Sequence, residues 1–95
     1  MKLDLSKHIE DTDNILLRSN DKTLHVLYYI ICQFDMINES WYSDKINKES
    51  IALKLGLSLS SVDKKVSQLK DNGIIISKSG KGEYKLNEEL FELGY

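Results

Sequence analysis

Residues 56–77 read GLSLSSVDKKVSQLKDNGIIIS, and the fold turns on how this stretch is parsed. Val62, Val66 and Leu69 recur at four- and three-residue intervals, the period of a helix with one buried stripe. Ser58 ahead of them is a good N-cap. Gly56 is suited to end a preceding helix in the left-handed conformation, and Gly73 to end this one. Asn72-Gly73 also matches a two-residue hairpin turn, but the residues before it are spaced as a helix and do not alternate. Two helices joined by about three residues, Gly56 to Ser58, suit an angled crossing better than a long antiparallel pair.

Downstream, Ile74, Ile75 and Ile76 are β-branched, Ser79 to Gly82 supply turn residues, and Glu83 to Leu86 alternate, which predicts a β-hairpin. Asn87 is a plausible cap for a short helical turn that packs Leu90, Phe91 and Leu93 back on the body. Upstream, Asn47 is placed to cap the helix that ends at Gly56, with Ile46 and Ile51 as a hydrophobic staple and Ile51, Ala52 and Leu55 facing inward. Residues 37–46 read as a connection in which Trp41 and Tyr42 plug the edge of the core. Stacking on bases is the other use of such aromatics, and it needs exposed rings with basic neighbours.

A further helix is expected from Ser19 or Asn20, with Leu24, Leu27, Tyr28, Ile31 and Phe34 on one side. Its other side is also apolar, with Val26, Tyr29, Ile30 and Cys32, so a single stripe does not account for it. The expectation is a second burial surface, supplied by a homodimer contact around Val26, Tyr29 and Ile30. Residues 1–18 form an arm in which Leu3 and Leu5 alternate like a strand while Ile15, Leu16 and Leu17 suit strand or helix. The domain organisation is thus an arm, 1–18, and one domain, 19–95, in a fold that is mainly α with a small β-hairpin.

The chain has 95 residues, 41% hydrophobic and 29% charged, the range of an ordinary globular domain. Its longest apolar run, Val26 to Cys32, is far shorter than the roughly 18–20 residues of a membrane span. With one cysteine and no secretory pattern at the N-terminus, a cytoplasmic location is expected. For the same reason Asn38-Glu39-Ser40 is read as an accidental glycosylation pattern. The net charge is −2, but residues 44–85 carry nine lysines against five acids while both flanks are acidic. That asymmetry is what a local electrostatic footprint requires, or else it marks a solvated lysine-rich face.

The order helix, short helix, turn, helix, hairpin resembles a winged helix-turn-helix domain over roughly residues 20–91. Gly56-Leu57-Ser58, Ser61-Val62, Val66, Leu69 and Asn72-Gly73-Ile74-Ile75 stand where that family shows its glycines, serine and aliphatics. YKLNEELF, residues 84–91, is similar to the wing exit of small plasmid and phage proteins, among them RepL-type replication proteins and partition-complex centromere binders. The central part also resembles MarR-like regulators. The resemblance implies a helix, 58–72, in a DNA major groove and a wing on the adjacent backbone or minor groove.

Ser58, Leu59, Ser60, Ser61, Lys64, Lys65 and Gln68 are the DNA-binding candidates on that helix. Ser60, Ser61, Lys64 and Gln68 would meet base edges, because hydroxyl, ammonium and amide match groove donor and acceptor patterns, and Leu59 a thymine methyl. Lys54, Lys65, Lys78 and Lys81 would meet phosphates, where a flexible ammonium needs no fixed geometry. Arg18 is the single arginine, so guanidinium readout is missing from helix and wing, and Asp63 and Asp71 near the same face oppose phosphate.

Catalysis has little support. His25 and Cys32 lie seven positions apart on one helix, about 10 Å along its axis, too far to share a metal. His8 stands alone in the arm, Gly80-Lys81-Gly82 lacks the rest of a phosphate-binding fingerprint, and Glu88-Glu89 suits a helix N-terminus. The expected function is therefore double-stranded DNA binding without a cofactor, as a transcription regulator or as a binder of a replication or partition site. The other class of reading is a winged-helix protein-interaction module, for example a phage-encoded inhibitor of a host protein.

Overall fold

A computed structural model of the chain describes residues 3–4, 21–78, 82–89 and 91–92. Helix α1 (Lys22–Cys32) starts at Asp21, whose carboxylate accepts the Thr23 N–H. The cap is thus an aspartate, and the expected caps Ser19 and Asn20 lie outside the described residues. Val26, Leu27, Tyr28, Ile30 and Ile31 are all buried, and Leu24, Tyr29 and Cys32 pack partly against the same core. Most of both apolar sides of α1 is therefore covered within the chain, with Tyr29 and Cys32 half-buried. Val26 and Ile30 are 0% exposed, so they offer nothing to a twin subunit, and the apolar excess that suggested one has a different explanation: α1 lies in the middle of the core.

Helix α2 (Lys45–Leu55) begins three residues earlier than expected. Its cap is Asp44, whose Oδ1 accepts the Asn47 N–H at 2.8 Å. Asn47 instead occupies the third helical position and reaches back through Nδ2 to the Tyr42 carbonyl at 2.8 Å. With the start shifted, Ile46 falls on the outer side and is 78% exposed, so no staple forms. Ile51 and Ala52 are buried, as their spacing requires.

Gly56 ends α2 at φ 65°, and the Leu57 N–H returns to the Ala52 carbonyl at 2.9 Å. This closure turns the chain within two residues. Ser58 then accepts the Ser61 N–H and opens helix α3 (Leu59–Asp71), which buries Val62, Val66 and Leu69. The same closure recurs at its end, where Gly73 has φ 72° and the Ile74 N–H returns to the Leu69 carbonyl at 2.9 Å. Helix α3 packs against both α1 and α2. Burying an aliphatic side chain such as Leu69 contributes about 2 kcal/mol.

Strands β2 (Trp41–Tyr42), β3 (Ile75–Ser77) and β4 (Glu83–Leu86) form an antiparallel sheet in the order β2-β4-β3. The expected hairpin is β3–β4, with Ile75 opposite Leu86, Ile76 opposite Lys85 and Ser77 opposite Tyr84. Residues 41–42 are a strand and not only a plug. Trp41 is buried against Tyr84, its partner in register, while Tyr42 points outward. The Trp41 indole N–H donates to Gln33 Oε1 at 2.9 Å, and Gln33 Nε2 donates to the Asn47 carbonyl at 3.1 Å, which joins the end of α1, the sheet and the start of α2.

The C-terminal segment differs from expectation. Asn87 donates through its N–H to the Ile74 carbonyl at 3.1 Å and through Nδ2 to the Gly73 carbonyl at 2.7 Å. Its Oδ1 accepts the Glu89 N–H at 2.9 Å, closing a tight turn. Among the described residues no helical turn follows: Phe91–Glu92 is a strand, β5, paired in parallel with Leu3–Asp4, strand β1. Leu90 and Leu93 lie outside the described residues.

An added Cβ at Gly56 meets nothing within 4 Å, so Gly56→Ala tests the backbone conformation alone. It is expected to cost about 1 kcal/mol in urea unfolding, against less than about 0.5 kcal/mol for alanine at exposed Lys70. Equal midpoints for the two variants would contradict the left-handed turn.

Candidate nucleic-acid interface

With Val62, Val66 and Leu69 inward, Ser60, Lys64, Ser67, Gln68 and Asp71 emerge on the exposed side of α3. At its start Ser58 does double duty: besides capping, its hydroxyl donates to Ser61 Oγ at 2.9 Å and lies 3.2 Å from Ser60 Oγ. The three serines at the head of α3 therefore form one hydroxyl cluster. Leu59 and Lys65 are half-buried at the flanks. Ser58, Leu59, Ser60, Ser61, Lys64, Lys65 and Gln68 thus come together on one helix.

The charge around this face is less hostile to phosphate than the sequence suggests. Lys48 on α2 places its ammonium 2.8 Å from Asp63 Oδ1, across the α2–α3 crossing. Such a surface pair adds little stability, but it offsets the negative charge near the middle of the helix. Asp71, the last residue of α3, makes no ion pair among the described residues. Neither Lys64 nor Lys65 makes one either, which leaves both ammonium groups available. Lys54 lies 5.2 Å above the Tyr29 ring, a cation–π contact that orients the stem while the residue stays exposed.

Lys78 stands apart from the other lysines. Its ammonium donates to the Asn38 carbonyl at 2.9 Å and to Ser40 Oγ at 2.8 Å, and sits 3.6 Å from Glu83 Oε2. Ser40, which is fully buried, donates to the same Glu83 oxygen at 2.6 Å. This network ties the root of the hairpin to the turn before β2. Asp35 shapes that turn by accepting the N–H groups of Ile37 and Asn38 and the Asn38 side-chain amide. Those bonds, the Asn38 N–H first, hold its carboxyl below the usual aspartate range. Lys81 lies outside the described residues.

Two partners of the site escape sequence reasoning. Lys48 reaches Asp63 over fifteen positions, and Thr23 Oγ1 donates to Gln68 Oε1 at 2.9 Å over forty-five. No local spacing signals either. A cleft of about 230 Å³ between the 34–39 turn and the hairpin is lined by Phe34, Glu39, Lys78, Lys85, Leu86 and Glu88. It is smaller than ordinary ligand pockets. Among the described residues no group of three or more His, Cys, Asp or Glu side chains could hold a metal, and no helix is long and apolar enough to cross a membrane.

Comparison with family models, with curated proteins and with solved structures returns no match to this chain.

Lys78 provides a test of this geometry. Lys78→Ala should lower the thermal midpoint, because it strips the half-buried Ser40–Glu83 pair of its cation, while leaving the salt dependence of any DNA binding unaltered. An unchanged midpoint with a shallower salt slope would mean the ammonium is free for phosphate.

Proposed function

We propose that this chain is a winged helix-turn-helix protein that binds double-stranded DNA, with α3 in the major groove and the β3–β4 hairpin beside the adjacent backbone. The element order supports this: among the described residues, three helices, the last two joined through Gly56 and Ser58, with a strand after α1 and a hairpin after α3. The observation that carries the reading is the uncovered side of α3. There, a serine cluster, Lys64 and Gln68 share one face, and the acid beside them, Asp63, is offset by Lys48. Hydroxyl, ammonium and amide are the groups that meet base edges and phosphates.

Lys65 and Lys54 are assigned to flanking phosphates, and Lys81, which lies between the two hairpin strands in the sequence, to the same role. Lys78 holds the hairpin root in place of a phosphate. With no arginine in α3 or the hairpin, binding relies on lysine charge and on small polar groups, so sequence discrimination is modest. A protein of this kind serves as a transcription regulator or as a binder of a replication or partition site, in which copies side by side on an array supply affinity that one copy lacks.

One observation favours a second reading, a protein-interaction module. Ile46 and Leu53 are 78% and 85% exposed and lie seven positions apart on the same side of α2. They, unlike Val26 and Ile30, are open to another protein or to a second copy, as is Ile37 in the turn before β2.

Exchanging Lys64 and Lys65 together for alanine should weaken binding to mixed-sequence duplex and flatten the log–log salt dependence by about one unit for each phosphate no longer neutralised. Fluorescence anisotropy at several salt concentrations measures both. Unchanged affinity and slope would move the function to the α2 surface.

A further inference from the structure

Gln68 is the one amide on the exposed side of α3, and a glutamine ordinarily reads adenine because one amide offers an acceptor and a donor together. In this chain one lone pair of the acceptor is taken, and the oxygen is turned toward α1. Thr23 Oγ1 donates to Gln68 Oε1 at 2.9 Å, and Thr23 is itself held, its N–H donating to Asp21 Oδ1 at 2.9 Å in the first turn of α1. Oxygen and nitrogen diverge from the amide carbon, so an oxygen turned to α1 directs the NH₂ group away from it. That NH₂ makes no hydrogen bond among the described residues, and Gln68 is exposed.

We propose that Thr23 is a positioning residue that makes Gln68 a donor-only reader, so that it meets a hydrogen-bond acceptor on DNA and is mismatched with adenine and cytosine edges. The inference rests on the DNA-binding reading above. Acceptors with no amino donor on the same base are guanine O6 and N7 and thymine O4, besides the phosphate oxygens; adenine N7 accepts too, but beside the N6 amino group, which then faces the Gln68 side chain without an acceptor, and cytosine N4 presents a donor alone. Desolvating two donors against each other costs more than losing one bond, so the exclusion is stronger than the attraction.

The experiment selects bound fragments from random duplex DNA with the full chain and with Thr23→Val, Thr23→Ser and Gln68→Ala, then measures affinity on the selected sites. Valine keeps the shape of threonine and removes the hydroxyl, and serine retains it. If a base edge is the acceptor, one position of the selected site takes guanine or thymine over adenine or cytosine by about tenfold. Thr23→Val then admits adenine to within about threefold, Thr23→Ser keeps the original preference, and Gln68→Ala has none at that position. If a phosphate is the acceptor, Thr23→Val and Gln68→Ala weaken all sequences about equally, while Thr23→Ser does not. The salt slope stays the same throughout, because a neutral amide displaces no counterion.

The proposal is overturned if Thr23→Val selects the same site with the same affinity as the unaltered chain, or if the preference that Gln68→Ala abolishes is for adenine or cytosine. A chain that binds no duplex at all would remove the DNA reading itself, a result distinct from binding that ignores Thr23.

Discussion

The structure depends on the burial of α1. Eleven residues, Lys22–Cys32, carry apolar side chains on almost every side, and such a helix is unstable in water until other elements enclose it. Val26 and Ile30 meet no solvent, Leu27, Tyr28 and Ile31 almost none. Helices α2 and α3 pack against α1, and Trp41 of the sheet joins its C-terminus through Gln33. Once α1 is enclosed, α3 has one side left, and that side is polar.

How α3 presents that side is decided by backbone closure at two glycines. Gly56 and Gly73, both at positive φ, let the chain turn immediately at each end of α3, while Ser58 satisfies one of its first free N–H groups, that of Ser61. The hairpin is then fixed from beneath: Asn87 bonds the carbonyls of Gly73 and Ile74, and Lys78 binds Asn38, Ser40 and Glu83. A lysine in a hairpin is thus no guarantee of a cation free for phosphate.

Periodic features were legible in the sequence. Val62, Val66 and Leu69 determine the orientation of α3, Gly56 and Ser58 the turn, and Ile75 and Leu86 the hairpin. The cap of α2 was not, because Asp44 and Asn47 are both good caps three residues apart, and only the observed bond from Asn47 to Asp44 separates them. Strand β2 has two residues, too few to alternate. The burial of Val26 and Ile30 within the chain could not be told from burial against a partner, since periodicity shows that a side chain is covered but not by what. For the site, α3 gathered its own candidates, while Lys48 and Thr23 reach it from other elements through packing that no sequence spacing encodes.

Under the proposed function the polar side of α3, rather than the apolar outer side of α2, is the working surface. Titrating ¹⁵N-labelled protein with a mixed-sequence DNA duplex at low salt and following the backbone amides tests it most directly. DNA binding through α3 should concentrate the shifts at Ser60, Ser61, Lys64 and Gln68 and along the hairpin, and added salt should reverse them. No shifts, or shifts confined to the region from Ile46 to Leu53, would contradict it.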